Sequence, residues 1–186
     1  MLMHGLCFSL FKLTGWRYDK DHLWADKQVV IGFPHTSNMD AVRSIALFSI
    51  LKIRTHTLIK KELFRWPLSW ALQRLGGIPV SRGKKSNMVE QIANEFAKRD
   101  KFTLVLAPEA SRSKGDATKR TIKTGFWHIA KRAEVPIVLM FSDGENKSVR
   151  FLGSIVPSDS MQADLDKIES IYRFHGIDLT MPLTEA

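Results

Sequence analysis

Short apolar runs, rich in β-branched residues and alternating with segments of helical spacing, constrain this chain most. KQVVIGF (27–33), THTLIK (55–60), GIPVS (77–81), FTLVLA (102–107) and PIVLMF (136–141) read as strands. Most are nearly continuous apolar runs, the pattern of strands covered on both faces. Helices are expected between them at about 38–52, 66–75, 87–99 and 121–133. In the third, Val89, Ile92, Ala93 and Phe96 share one face, and Asn87 with Glu90 reads as a capping pair. Asp143-Gly144 signals a hairpin turn with SVRFLG (148–153) returning, and a helix at about 159–174 precedes a polar tail. The order predicts an α/β fold: one domain with a mostly parallel central sheet flanked by helices.

Length and composition agree with that architecture. A chain of 186 residues, 44% hydrophobic and 25% charged, suits one domain with a single sizeable core. Cys7 is the one cysteine, so an internal disulfide or a Cys-rich metal site is ruled out, and a reducing, cytosolic location is expected. The net charge of +9 favours anionic partners: nucleic acid, acidic lipid head groups or phosphorylated substrates. No stretch reaches the roughly 20 apolar residues of a membrane-spanning helix. The first segment, MLMHGLCFSLFKLTGW, lacks the basic lead-in and cleavage site of a signal peptide. On a helix its Leu2, Met3, Leu6, Cys7, Leu10 and Leu13 share a broad face opposite Gly5, Ser9 and Lys12. Such a helix fits a membrane interface; it equally fits docking on the domain's own core. The expected layout is an N-terminal amphipathic helix over 1–18, the α/β domain over 19–178 and a polar tail over 179–186.

In parallel α/β sheets, ligands gather beyond the carboxyl ends of the strands. The chemically interesting residues fall there. His35 follows the first strand, with Asp40 five positions on. Ser37-x-x-Asp40 is itself a capping pattern, and an acid in a first helical turn suits the dipole. The same tight turn would also let a carboxylate fix the imidazole tautomer and leave its other nitrogen free to take a proton. The two readings are compatible. LGGIPVSR (75–82) has two glycines that permit close backbone approach and ends in Arg82, whose fork of donors suits phosphate. LAPEASRSKGD (106–116) leaves its strand at Pro108 and carries Glu109, Ser111 and Arg112 in a polar loop. These form either an internal Glu–Arg pair or a phosphate contact with Glu109 as orienting group. Lys60, at the end of THTLIK, and Lys123, in IKTGF, would extend the cationic set. The other histidines have no metal-ligand spacing, and no metal site is assigned. Neither a GxxxxGK loop nor a GxSxG elbow occurs.

Together these blocks resemble the glycerolipid acyltransferase family, which contains the 1-acylglycerol-3-phosphate acyltransferases. Its H-x4-D motif is matched by His35 to Asp40, and its glycine-led strand ending in arginine by Gly77 to Arg82. Its P-E-G-T-R-S block is matched by Pro108 to Ser113, and its V-P-I-V strand by Val135 to Val138. The first block is closest to the short bacterial branch that reads P-H-T-S-N-W-D. Met39 replaces that tryptophan, Ala110 and Ser111 replace the glycine and threonine of the third block, and Ile122 stands where a tryptophan commonly precedes K-T-G.

The resemblance implies a glycerol-3-phosphate acyltransferase-like fold and O-acyl transfer to a lysophospholipid hydroxyl. His35 would act as general base assisted by Asp40. Lys60, Arg82, Glu109, Ser111, Arg112 and Lys123 would contact substrate, the cations taking its phosphate. It implies acyl-CoA or acyl carrier protein as co-substrate and no cofactor. It also implies peripheral contact with anionic lipid on the cytoplasmic face of the inner membrane, and no nucleic acid. Trp16, Trp24, Trp66 and Trp70 could then rest at the interface, with core packing expected for at least two. A membrane-binding module that lost catalysis and a CoA-independent phospholipid transacylase are the alternatives.

Overall fold

Alternate residues of one strand feed two separate cores. In β2 (Lys27–Phe33), Val29, Ile31 and Phe33 face one side of the sheet and Val30 the other, all buried. This alternation follows from the two-residue period of a strand, and it explains why the segment reads as a continuous apolar run. The computed structural model describes residues 9, 11–19, 24–33, 38–80, 85–108 and 122–177, with the backbone alone for 38–41 and 85–87.

Seven strands form one sheet: β1 (Arg17–Tyr18), β2, β3 (Thr55–Lys60), β4 (Gly77–Val80), β5 (Phe102–Leu106), β6 (Ile137–Asp143) and β7 (Ser148–Ile155). Their order is β1-β7-β6-β2-β5-β3-β4. β2 pairs parallel with both β5 and β6, and β3 parallel with β5 and β4, whereas β7 runs antiparallel to β6. β1 pairs parallel with β7. The helices are α1 (Asn38–Ile50), α2 (Leu68–Arg74), α3 (Lys85–Ala97), α4 (Gly125–Ala133) and α5 (Met161–Phe174), with a 3-10 turn at Lys61–Leu63. The expected α/β class, with a mostly parallel sheet between helices, is the observed one.

One core packs α3, α4 and α5 on the sheet through Ile92, Phe96, Phe126, Ile129, Leu165 and Ile168. The other packs Leu47, Phe48 and Ile50 of α1, together with Phe11, against Val30, Val138 and Phe151. Buried Gln28, Thr103 and Asp164 are partnered. Gln28 donates from Nε2 to Thr103 Oγ1 at 3.3 Å and accepts from the Ala25 amide at 3.3 Å. Buried Asp164 accepts from the Trp127 indole at 2.8 Å and the Ser158 amide at 2.7 Å. Burial works to raise the pKa of Asp164, but these bonds prevail and hold it below the usual carboxylate value.

Three features depart from the sequence reading. Glu90 does not cap the third helix, which begins at Lys85; it pairs with Arg132 of α4 at 3.1 Å, because the two helices lie side by side. The β6–β7 connection is a four-residue turn over 144–147 rather than a tight Asp-Gly turn. Asp143 accepts from the Asn146 amide at 2.9 Å, an arrangement that a two-residue loop could not supply. Near the N-terminus, residues 11–14 are helical, but Arg17–Tyr18 already form a strand. Phe11 is the residue that docks there, while Leu13 is 87% exposed; two positions along a helix point nearly opposite ways. Residues 1–8 of the expected amphipathic segment and residues 178–186, which take in the polar tail, lie outside the described residues. Of the tryptophans, Trp16 and Trp24 are half-buried beside the second core, whereas Trp66 and Trp70 are 92% and 69% exposed.

His56, on β3, is buried, stacks on Phe102 with ring centroids 4.4 Å apart, and has no hydrogen-bond partner at Nδ1. Burial, then the positive charges of Arg99 and Arg54, lower its pKa below the ordinary value near 6.5. The unfolded chain therefore takes up the proton first as pH falls, so stability is full above about pH 6.5 and declines below it until the folded imidazole titrates. Chemical denaturation between pH 7.5 and pH 5 is expected to show this decline at about that range. His56→Phe should flatten the decline, and an unchanged pH profile in that variant would refute the assignment.

Candidate functional site at the carboxyl edge of the sheet

Parallel pairing brings the carboxyl ends of β2, β3, β4, β5 and β6 to one edge, here called the rim. The registers align Phe33 with Phe141 and Lys60 with Val80. The first three blocks singled out in the sequence leave the sheet at this rim, while the fourth, Val135 to Val138, enters β6 at the opposite edge. Phe33 ends β2 two residues before His35, and α1 begins at Asn38, so four residues connect strand to helix. The backbone of Asp40 is the third residue of α1 and lies in its first turn, as the spacing predicts. A carboxylate there is stabilised by the helix dipole whether or not it also serves an imidazole.

Glycine brings the second block into place. Gly76 has φ +84°, and a Cβ there would lie 2.1 Å from the Thr55 carbonyl oxygen. A Cβ on Gly77 would meet the Leu72 carbonyl oxygen and Ile59 Cδ1, each at 2.8 Å. Two bare backbones are thus what lets β4 press between β3 and α2 and deliver Val80 to the rim, two residues before Arg82. β4 is an edge strand, which is where Pro79, lacking an amide donor, is tolerated. Its carbonyl accepts from Gln91 Nε2 of α3 at 3.1 Å.

The third block is closed at its base. The Lys123 amide donates to the Pro108 carbonyl at 2.8 Å, which clips together the chain leaving β5 and the chain returning towards α4. Ile122 beside the clip is buried in the first core, so it is a packing position. Lys123 and Lys60 are both exposed at the rim. Lys60 ends β3 and Lys123 sits at the mouth of the segment that carries Glu109, Ser111 and Arg112. His35, Arg82, Glu109, Ser111 and Arg112, and the side chain of Asp40, lie outside the described residues. Asp143, which the sequence reading treated only as a turn residue, also reaches this edge. Hydrogen bonds from the Asn146 backbone and side chain hold its pKa below the usual carboxylate value, so it is an anion at neutral pH.

The described residues also line a pocket of about 250 Å³, but at the opposite edge, among Lys27, Glu90, Phe96, Arg132 and Glu134. Lys27 starts β2 and Ala97 and Ala133 end their helices there, so the pocket is separated from the rim by the length of the strands. The exposed Glu90–Arg132 pair crosses its wall, and neither Lys60 nor Lys123 lines it.

The rim therefore offers segment ends from three loops, cationic side chains and a helix start at one place on a rigid sheet. The Acyltransferase family model matches residues 17–141, about two thirds of the chain. The chain belongs to this acyltransferase family and is an enzyme of acyl transfer, as the motifs implied. Among solved structures it is similar to the 1-acyl-sn-glycerophosphate (LPA) acyltransferase PlsC from Thermotoga maritima, with a TM-score of 0.64. That match has 16% identity and covers 96% of this chain and 80% of that one, a likeness of fold. No curated protein matches the chain by sequence.

The strain argument at Gly76 is directly testable. Gly76→Ala should destabilise the protein by about 2 kcal/mol or more, because the new methyl both collides with backbone and forces a side chain into positive φ. Thermal or urea denaturation reads this, and a variant as stable as the parent would show that the glycine is dispensable there.

Proposed function

We propose that this enzyme moves a fatty acyl group from acyl-CoA or acyl carrier protein to the free hydroxyl of a lysophosphatidate-like lysophospholipid in phospholipid biosynthesis. It works peripherally, on anionic lipid at the cytoplasmic face of the inner membrane. The family match over residues 17–141 carries the reading. The named activity of the PlsC structure that the fold resembles supports the choice of acceptor. Among the described residues no helix is long and apolar enough to cross a membrane, in keeping with a peripheral role.

His35 accepts the proton of the acceptor hydroxyl as its oxygen attacks the thioester carbonyl carbon. The carbon–sulfur bond then breaks, the thiolate leaves and takes the proton from the imidazolium, and an ester and a free thiol result. Asp40 holds the imidazole in the required tautomer and stabilises its charged form. Arg82, Arg112, Lys60 and Lys123 receive the acceptor's phosphate, for which guanidinium forks provide paired donors. Glu109 and Ser111 orient polar groups beside them. The reaction uses no cofactor in this scheme, and acyl-CoA or acyl carrier protein enters as co-substrate.

His35→Ala is expected to lower kcat about 10²- to 10⁴-fold while melting at the parent temperature. Release of free CoA, screened against glycerol 3-phosphate, lysophosphatidate and other lyso-lipids, measures it. A folded variant with near-parent turnover would remove His35 from the chemistry. Arg112→Ala should raise KM for the phosphate-bearing acceptor about tenfold or more and leave KM for the thioester nearly unchanged. Equal effects on both substrates would count against the phosphate role. Acyl transfer from intact phospholipid with no thioester present would assign the protein to the transacylases instead.

A further inference from the structure

Among the described residues, several large exposed apolar side chains lie towards the rim, whereas Leu75 and Val156 lie at the opposite edge. The connection from β3 to β4 contributes Leu63, Trp66, Leu68 and Trp70, and α2 within it has no buried residue. This connection leaves the sheet at Lys60, so its 3-10 turn and the start of α2 lie on the rim at the β4 end of the sheet. Leu13 lies on the rim at the other end. β1 pairs with β7 at Arg17–Ser148, and Ser148 pairs with Asp143, the last residue of β6. Phe174, 87% exposed, ends α5, which follows β7 from the opposite edge towards the rim and is level with the middle of β6 where Tyr172 donates to the Met140 carbonyl. Seven strands at about 4.8 Å spacing separate the two ends by about 29 Å. Apolar groups thus flank the substrate edge on both sides.

We propose that the 3-10 turn and α2 form a docking anchor that seats this rim on an anionic bilayer surface. The proposal deepens the membrane role described above and rests on it. Charge selects the occupant. Within residues 61–75, Lys61, Arg65 and Arg74 outnumber Glu62, the one acid there. The Arg74 guanidinium lies 5.3 Å from the Trp70 ring centroid. Indole beside cation is the pairing that suits a head-group boundary, where the ring enters the apolar zone and the charge stays with phosphate. A second copy of the chain would bring the same cations against each other. A lipid surface brings anions, and it presents a plane wide enough to meet Leu13 and Phe174 as well. On this geometry the anchor holds the sheet's carboxyl edge towards the lipid from which an acyl acceptor must come.

The test uses the full chain and vesicles of phosphatidylglycerol mixed with phosphatidylethanolamine, against phosphatidylcholine alone. In sedimentation with the anionic vesicles, L63S/W66S should partition about tenfold or more weakly than the parent. Its turnover on a water-soluble, short-chain acceptor should be unchanged. K61Q/R65Q should lose most of the preference for anionic over phosphatidylcholine vesicles, and this variant carries the test if the first does not fold. Parent-like partitioning of L63S/W66S would overturn the anchor. So would a drop in self-association, read by sedimentation velocity, with vesicle binding intact, since a second copy would then be the occupant. A parent that binds no vesicles would overturn the anchor while acyl transfer to the soluble acceptor still stood on its own assay.

Discussion

The burial of β2 on both faces is the constraint on which the rest depends. It lies between β6 and β5, and its apolar side chains alternate between the two cores. A slip of one residue against either neighbour would exchange the contents of those cores, so the register is strongly specified. Parallel pairing then follows through the helical crossovers, and it sends five strand ends to the same edge. The concentration of motif-bearing loops at one rim is a consequence of that burial. Cores built from close-packed apolar side chains also make the rim a rigid support.

Short devices at the rim give the loops their starting points. A four-residue connection links β2 to α1 and carries His35. Two glycines let β4 lie against β3 and α2, and one amide–carbonyl bond joins Pro108 to Lys123. The two glycines and the amide–carbonyl bond do not themselves touch substrate in the proposed reaction. They determine where the residues that do touch it can begin. Reactive side chains carried on loops from a fixed scaffold are the usual arrangement in α/β enzymes.

The same edge combines two kinds of surface that are costly to separate in a lipid-processing enzyme. Cations suited to a phosphate stand at the strand ends, and exposed indole and aliphatic groups stand to either side. The opposite edge, where the described pocket lies, is lined by mixed charge with a surface ion pair. Such a pair contributes little to stability, typically below about 1 kcal/mol, and marks no chemistry by itself.

Local pattern alone determined a good deal. The two-residue period of the strands, the 3.6-residue period of the helices, the Pro and Gly punctuation and the order of the four motifs are properties of neighbouring residues. From them the α/β class, most element bounds to within a few residues and membership of the acyltransferase family were legible. Partnership was decided only in three dimensions. Glu90 found Arg132 because two helices lie side by side, and Trp24 packed against Phe48 and Phe151 while Trp66 met solvent. Phe11 rather than Leu13 docked because a two-residue strand, too short to leave a pattern, fixed the exit of the preceding helix. Periodicity reports which face a residue occupies on its own element; what that face meets depends on segments far away in the chain.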